Sequence, residues 1–307
     1  TSGLKHEEIA EIDRTLIQTI EAQLAPGFDA PNAVQAFLAA GLYCYPHQLT
    51  IKYQRAPIPN WLIPTYFQFM FESPRLFKEV GEVDRYFDYL SGWIDYLHGH
   101  ITSNPNSDVW KYVANIFAQS ANLTPLYFSS RTQKQVQTQR AEILELFLTQ
   151  QGCQLNYTFP DRPYIRPRIR LGILVQSYSL TAEASTVIPV FEQIDRSQFE
   201  VYLYTIDAGN SDAYVRNLGD KFTVLSGQDL LTMVQTVRSD DLDILLIGSN
   251  ITARSYPLTL LCLHRLARVQ TTSLAAPVTT GMSQIDYYIA GTLTAPANAQ
   301  AQYREKL

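Results

Sequence analysis

Histidine is the usual general base near neutral pH, and this chain has five: His6, His47, His98, His100 and His264. None falls in a loop that follows a predicted strand. His98 and His100 flank Gly99 close to a predicted helix end, a spacing that holds a metal only with further ligands. The sequence offers no such ligands, so a helix-terminal or solvated pair is the favoured reading and no metal is expected. His264 stands beside Arg265 in a predicted helix and reads as a surface residue. Asp243 and Asp286 each open a predicted strand, where a carboxylate caps or pairs locally. The three cysteines, Cys44, Cys153 and Cys262, are odd in number and far apart, so they read as buried free thiols rather than a disulfide framework or a zinc site.

Phosphate binding by backbone amides needs closely spaced glycines before a helix. The loop after the first predicted strand, from Gln176 to Ser185, has none, so a dinucleotide fingerprint and a P-loop are both absent and no cofactor is expected. Two later loops are small and polar: Gly248-Ser249-Asn250-Ile251-Thr252, and Ala275 through Pro277 to Thr279-Thr280-Gly281. In an open parallel sheet, ligands bind at the carboxyl ends of the strands. Asn250, Thr252, Thr279, Thr280 and Gly281 are therefore either the walls of a cleft or ordinary turn residues.

The elements that would position these loops are legible from hydrophobic period. Ile9, Ile12, Leu16, Ile20 and Leu24 recur at helical spacing, ending at Pro26-Gly27. A second helix opens at Pro31, and an aromatic stretch from Trp61 to Phe71 reads as a buried helix. Ser73-Pro74 resembles a cap and first turn, followed by Leu76, Phe77, Val80, Val83, Phe87, Leu90, Ile94 and Leu97. Further helices start near Asp108 and Thr132, the last ending at Gly152, with no internal repeat of the tetratricopeptide kind. The aromatic residues of this half could line a groove for a peptide, but their helical spacing favours core packing.

Residues 159–168 are too proline-rich for the interior of an element and predict an extended linker. Beyond it the period changes. Strands are predicted near Leu171, Val201, Val224, Leu245, Thr272 and Tyr288, alternating with helices over Ala182–Gln193, Leu230–Val237 and Leu258–Leu266. Runs apolar enough to be covered on both faces indicate a parallel, doubly wound sheet. The expected organisation is an all-α domain over residues 1–158, a linker over 159–168, and a Rossmann-like α/β domain over 169–307.

Composition agrees with a folded chain of two domains: 307 residues, 46% hydrophobic and 17% charged, with a net charge of −5. The basic residues are scattered, so nothing supplies the positive stripe that nucleic acid requires. No apolar run approaches the roughly 20 residues of a membrane span and no basic-then-apolar leader precedes the first helix, so the expected location is the cytoplasm. On that ground the sequons at Asn122, Asn156 and Asn250 are read as chance matches.

The segment from Arg168 to Leu174, then Gln198 to Tyr204, resembles the opening of the catalytic core of protein O-linked N-acetylglucosamine transferases. The similarity resumes, in the same order, at Leu242 to Leu245, Arg268-Val269-Gln270, Ala276 to Gly281, Ile285 to Ile289 and Gln302 to Leu307. Bacterial adhesin glycosyltransferases share the proline-to-double-threonine feature and carry a non-repeat helical domain in front. Cyanobacterial transferases of the group named after the plant protein Spindly are also similar. The resemblance implies that the α/β domain is the first half of a GT-B core, that the donor is a UDP-sugar and that the acceptor is a protein or peptide. It implies a second Rossmann-like domain holding most donor contacts, including a lysine for the diphosphate, so a UDP-sugar is expected as a partner only where that domain is present. Family histidines after the first strand match Thr181 and Ser185 here, neither of which is a base near neutral pH without activation. The expected cleft thus comprises Thr181, Ser185, Asn250, Thr252, Thr279, Thr280 and Gly281. Two functions follow: the N-terminal portion of a glycosyltransferase, inactive by itself, or a non-catalytic interaction module that keeps the fold.

Overall fold

The computed structural model describes residues 11–49, 58–162, 166–179, 182–207, 212–293 and 295–307. The chain divides into two compact units, Thr1–Ser130 and Arg131–Leu307.

The first unit contains α1 (Glu11–Leu24), α2 (Ala33–Tyr43), α3 (Ile63–Met70), α4 (Glu82–Ser103) and α5 (Asp108–Ser120). Its core is aromatic. Phe37 meets Tyr66 and Phe69 with ring centroids 5.4 and 5.3 Å apart, and Trp93 packs edge-on against Tyr66 and Phe67 at 6.0 and 6.1 Å. Such edge and tilted contacts suit the ring quadrupole. Two expected boundaries are corrected. Pro31 lies in the turn before α2, because Asn32 adopts a left-handed conformation (φ 64°) ahead of Ala33. Ser73-Pro74 caps nothing: residues 73–80 are not helical, and α4 starts after Gly81, which is also left-handed (φ 83°). Leu76 and Val80 are accordingly exposed rather than part of a helix face.

The second unit contains α6 (Lys134–Gln150), β1 (Ile169–Val175), α7 (Ala182–Glu192), β2 (Phe199–Thr205), α8 (Asp212–Arg216), β3 (Lys221–Val224), α9 (Leu230–Ser239), β4 (Ile244–Ile247), α10 (Pro257–Cys262), β5 (Val269–Thr272) and β6 (Tyr287–Tyr288). The strands form one six-stranded sheet in the order β3-β2-β1-β4-β5-β6, and every pairing is parallel. Each expected strand is present, and the short α8 is an addition. On one face Leu171, Ile173, Val201 and Leu203 are covered by Val187 and Phe191 of α7. Burying such residues contributes roughly 1.5–3 kcal/mol each.

The expected all-α stretch, residues 1–158, extends beyond the first unit: α6 lies in the second, where its side chains bond the loops after β4 and β5. The proline-rich segment is also more than a spacer. Arg162 and Arg166 pair with Asp241 at 2.8 and 2.7 Å, Arg162 also pairs with Asp243, and Arg268 donates to the Pro160 carbonyl at 2.7 Å. This strap is fastened to the amino-terminal end of the sheet. No described helix is long and apolar enough to cross a membrane.

Candidate functional site

The strand order reverses between β1 and β4: the chain runs outward from β1 to β2 and β3, then returns to β4, β5 and β6. At such a switch point neighbouring loops diverge and leave a crevice at the carboxyl ends. Gln176, the residue after β1, knits that end together. Its backbone N–H donates to Ser249 Oγ (3.0 Å), its carbonyl accepts from Asp207 N (2.8 Å) and Thr205 Oγ1 (3.2 Å), and its side-chain amide donates to Asp207 Oδ2 (2.9 Å). Asp207 is exposed, whereas Gln176 is half-buried with its side-chain oxygen out of contact with solvent, so the carboxylate is the group that faces solvent here. Gly248 is required beside them: a Cβ there would lie 2.7 Å from Val187 Cγ2 and 3.0 Å from Val175 Cγ1. Asp207 was not among the residues expected here. Its signal was position alone, since it follows the end of β2 as Gln176 follows β1.

The expected cleft residues divide into distinct settings. Thr181 lies outside the described residues, and Ser185 is exposed on the first turns of α7. Asn250 is half-buried, and its Oδ1 accepts from Thr252 N (2.9 Å) and Thr252 Oγ1 (2.8 Å), forming an Asx turn. Thr252 itself is fully buried. Thr279 and Thr280 are buried as well, around the carboxylate of Glu305. Thr279 Oγ1 donates to Glu305 Oε2 (2.5 Å), Thr280 N donates to Oε1 (2.7 Å), and Thr280 Oγ1 also donates to Oε1. Their hydroxyls are thus committed to the protein, and the threonines that were expected to border a cleft act as internal clasps. The physical reason is that a carboxylate only 2% exposed needs donors, and the nearest hydroxyls supply them.

Helix α6 holds the loops after β4 and β5 alike. Gln137 Nε2 donates to the Thr252 carbonyl (3.1 Å) and Arg140 NH1 to the Ile251 carbonyl (3.2 Å). Gly281, left-handed at φ 66°, lies so close that a Cβ would sit 2.4 Å from the Gln137 carbonyl carbon and from Thr138 N. Glu145 accepts from Ser283 N at 2.9 Å, and Arg304 pairs with Glu142 at 3.4 Å. The guanidinium of Arg140 is fully buried. The site is therefore framed by two loops held on one helix, with the loop after β1 tied to the first of them through Ser249 and the Asp207 carboxylate exposed beside it.

The histidines stand apart from this frame. His264, expected at the surface, is fully buried just beyond α10, with Nδ1 3.1 Å from the Leu260 carbonyl, and burial lowers its pKa. His47 belongs to the first unit and lies 3.3 Å from Glu82; burial lowers its pKa more than the carboxylate raises it. Asp243 and Asp286 lie at the opposite end of the sheet. Asp243 accepts from Arg170 N (2.8 Å), and Asp286 accepts from Arg265 and from Gln270 N (2.8 Å). Cys44 and Cys262 are buried, Cys153 is half-buried, and all are free thiols. No group of acidic, cysteine or histidine side chains among the described residues has the spacing to hold a metal.

No curated protein matches the chain. Among solved structures, a point mutant of the O-GlcNAc transferase of Thermobaculum terrenum is similar at 22% identity, with a TM-score of 0.46 over 74% of this chain and 44% of that one. The chain therefore spans less than half the length of that transferase. Residues 116–307 match the family model described as glycosyl transferase family 41. That span takes in α6, the whole parallel sheet and every loop of the frame described above, and on it the chain belongs to glycosyl transferase family 41.

Proposed function

We propose that this chain is the amino-terminal portion of a protein glycosyltransferase that moves a sugar from a uridine diphosphate carrier to a side-chain hydroxyl of a protein acceptor. The observation that carries this reading is the group of polar residues Gln176, Asp207 and Asn250 at the switch point of a family 41 α/β unit, where ligands of open parallel sheets bind. Glycosyl transfer forms a bond from the acceptor oxygen to the anomeric carbon, breaks the bond from that carbon to the diphosphate, and releases the acceptor proton. Here Asp207, held by the Gln176 amide, would orient hydroxyl groups of sugar or acceptor, and α6 would hold the neighbouring loops after β4 and β5. Charge developing on the leaving diphosphate needs preorganised donors, and the loops at this crevice offer it no lysine or glycine-rich turn. Residues 1–307 by themselves are therefore expected to transfer no sugar. A cytoplasmic setting, where nucleotide sugars and unmodified acceptors meet, fits this reading.

A second reading, a non-catalytic interaction module, is favoured by one specific feature: the hydroxyls of Thr252, Thr279 and Thr280 point inward and are unavailable to a substrate. The discriminating experiment is calorimetric titration with UDP-sugars of residues 1–307 and of any longer natural form, together with a peptide-transfer assay. Donor binding and transfer confined to the longer form support the transferase. A longer form that neither binds nor transfers supports the module, and transfer by residues 1–307 overturns the expected inactivity.

A further inference from the structure

The loops that leave the carboxyl ends of the strands span residues 176–181, 206–211, 225–229, 248–256, 273–285 and 289–303. In all of them together the sequence places one basic side chain, Arg254, and no histidine. The end at which a parallel sheet binds its ligands therefore has a single cation. Arg254 is exposed, and among the described residues its guanidinium has no partner. Elsewhere in this unit arginines come paired, as Arg170 does with Glu200 (3.1 Å), Arg196 with Asp220 (2.7 Å) and Arg268 with Asp241 (2.9 Å).

The backbone that carries Arg254 is fixed from behind. The carbonyls of Ile251 and Thr252 accept from Arg140 (3.2 Å) and Gln137 (3.1 Å) of α6, and the carbonyl of Arg254 itself accepts from the Thr259 hydroxyl (2.8 Å). All three donor residues are fully buried. Exposure then alternates along the chain: Arg254 and Tyr256 are exposed, whereas Ser255 is half-buried with its hydroxyl out of contact with solvent. Extended backbone sends alternate side chains to opposite sides, and Tyr256 is extended, at φ −68° and ψ 166°. The loop thus holds its backbone against the unit and turns a guanidinium and a phenol ring outward.

We propose that Arg254 recognises a single carboxylate, that of an aspartate or glutamate close in sequence to the hydroxyl that receives the sugar. A planar guanidinium and a carboxylate match as a bidentate pair. Charge selects this anion over the diphosphate of the donor. A diphosphate carries several negative charges and would meet one cation here, with the exposed Asp207 carboxylate repelling it at the same end of the sheet. A peptide carboxylate needs only the one. Arg254 follows Asn250 by four residues, at most about 14 Å of chain, and an extended peptide spans that distance in about four residues. The acidic residue is therefore expected within about four residues of the acceptor hydroxyl. This inference rests on the transferase reading and names the class of acceptor for it.

The test is calorimetry of residues 1–307 with short, end-blocked serine peptides that are neutral apart from one glutamate, set at each position up to about four residues from the serine, and with the matching glutamine peptides. At least one glutamate peptide is expected to bind roughly fivefold more tightly than its glutamine counterpart, and less so as salt is raised. Arg254→Gln is expected to remove that preference and leave the thermal midpoint unchanged, whereas Arg254→Lys keeps part of it. Absence of binding, equal binding within every glutamate and glutamine pair, or a preference undiminished by Arg254→Gln overturns the proposal. So does binding of uridine diphosphate to residues 1–307 that Arg254→Gln abolishes, which would make the diphosphate the anion. The preference is read without sugar transfer, so the two readings fail separately. A longer form that transfers no sugar while the preference stands removes the transferase reading and leaves Arg254 a carboxylate site, whereas transfer without the preference removes this inference alone.

Discussion

The two ends of the parallel sheet are built from different chemistry. At the amino-terminal end Asp241 receives Arg162, Arg166 and Arg268, Asp240 receives Lys221, Asp220 receives Arg196, and Asp286 receives Arg265. At the carboxyl-terminal end the bonds run between amides, hydroxyls and backbone around Gln176, Ser249 and Asn250, with Asp207 as the exposed carboxylate. Charges that pair with one another leave little for a ligand, so the first end is a fastening. Neutral groups retain hydrogen-bonding capacity without a large desolvation penalty, which suits the second end to binding.

The strongest test of that contrast lies in the frame behind the binding end. Gly281→Ala forces a left-handed alanine whose Cβ collides with the backbone of α6, and is expected to cost about 4 kcal/mol in denaturant unfolding. Gly227, at φ 77° with nothing within 4 Å of a Cβ, is the control: Gly227→Ala should cost about 1 kcal/mol. Equal losses at the two positions would show that α6 yields and that the frame is not rigid.

At the fastening end, Asp241→Asn strands three arginines and is expected to cost about 3 kcal/mol. Burial raises the Asp241 pKa, but hydrogen bonds and charge from Arg162 and Arg268 outweigh it and leave the carboxyl below its ordinary value. Its contribution is therefore fully present above about pH 4 and is lost as pH falls through the depressed folded value. His47 and His264, whose pKa values burial lowers, act earlier. They favour the neutral form, so the stability they confer is present above about pH 6.5 and declines on acidification below it. Thermal melts against pH should show both losses in the parent chain, and Asp241→Asn should remove the more acidic one.

The smallest stability effect is expected at the mouth of the crevice. Asp207→Asn should change unfolding by less than about 0.5 kcal/mol, while altering nucleotide-sugar binding in the longer form measured by calorimetry. A large loss of stability there would place Asp207 with the structural carboxylates and erase the distinction between the two ends.

Much of this architecture was open to a reading of residues alone. The apolar runs around Leu171, Val201 and Leu245 are long enough for strands and too continuous for a half-exposed sheet, which is why the parallel arrangement is legible in them. Gly152, left-handed at φ 84°, closes α6 where the helical period stops. Other features were hidden for a common reason. Amphipathic spacing shows that α6 buries a face, but not that the face meets the loops at Ile251 and Gly281. His264 looked exposed because Arg265 follows it, yet the short α10 turns it inward.

Local sequence thus determined which segments form strands and helices, because propensity and period act over a few residues. It determined as well that the loop after β1 lacks a glycine-rich phosphate cradle. Tertiary structure decided what those loops do. The Thr279 and Thr280 hydroxyls found a carboxylate 25 or more residues away at Glu305, and Gln176 met Asp207 and Ser249 only once β2 and β4 flanked β1. A hydroxyl in a polar loop has the same sequence signature whether it faces a ligand or a buried carboxylate. Only the folding of distant segments against one another selects between the two.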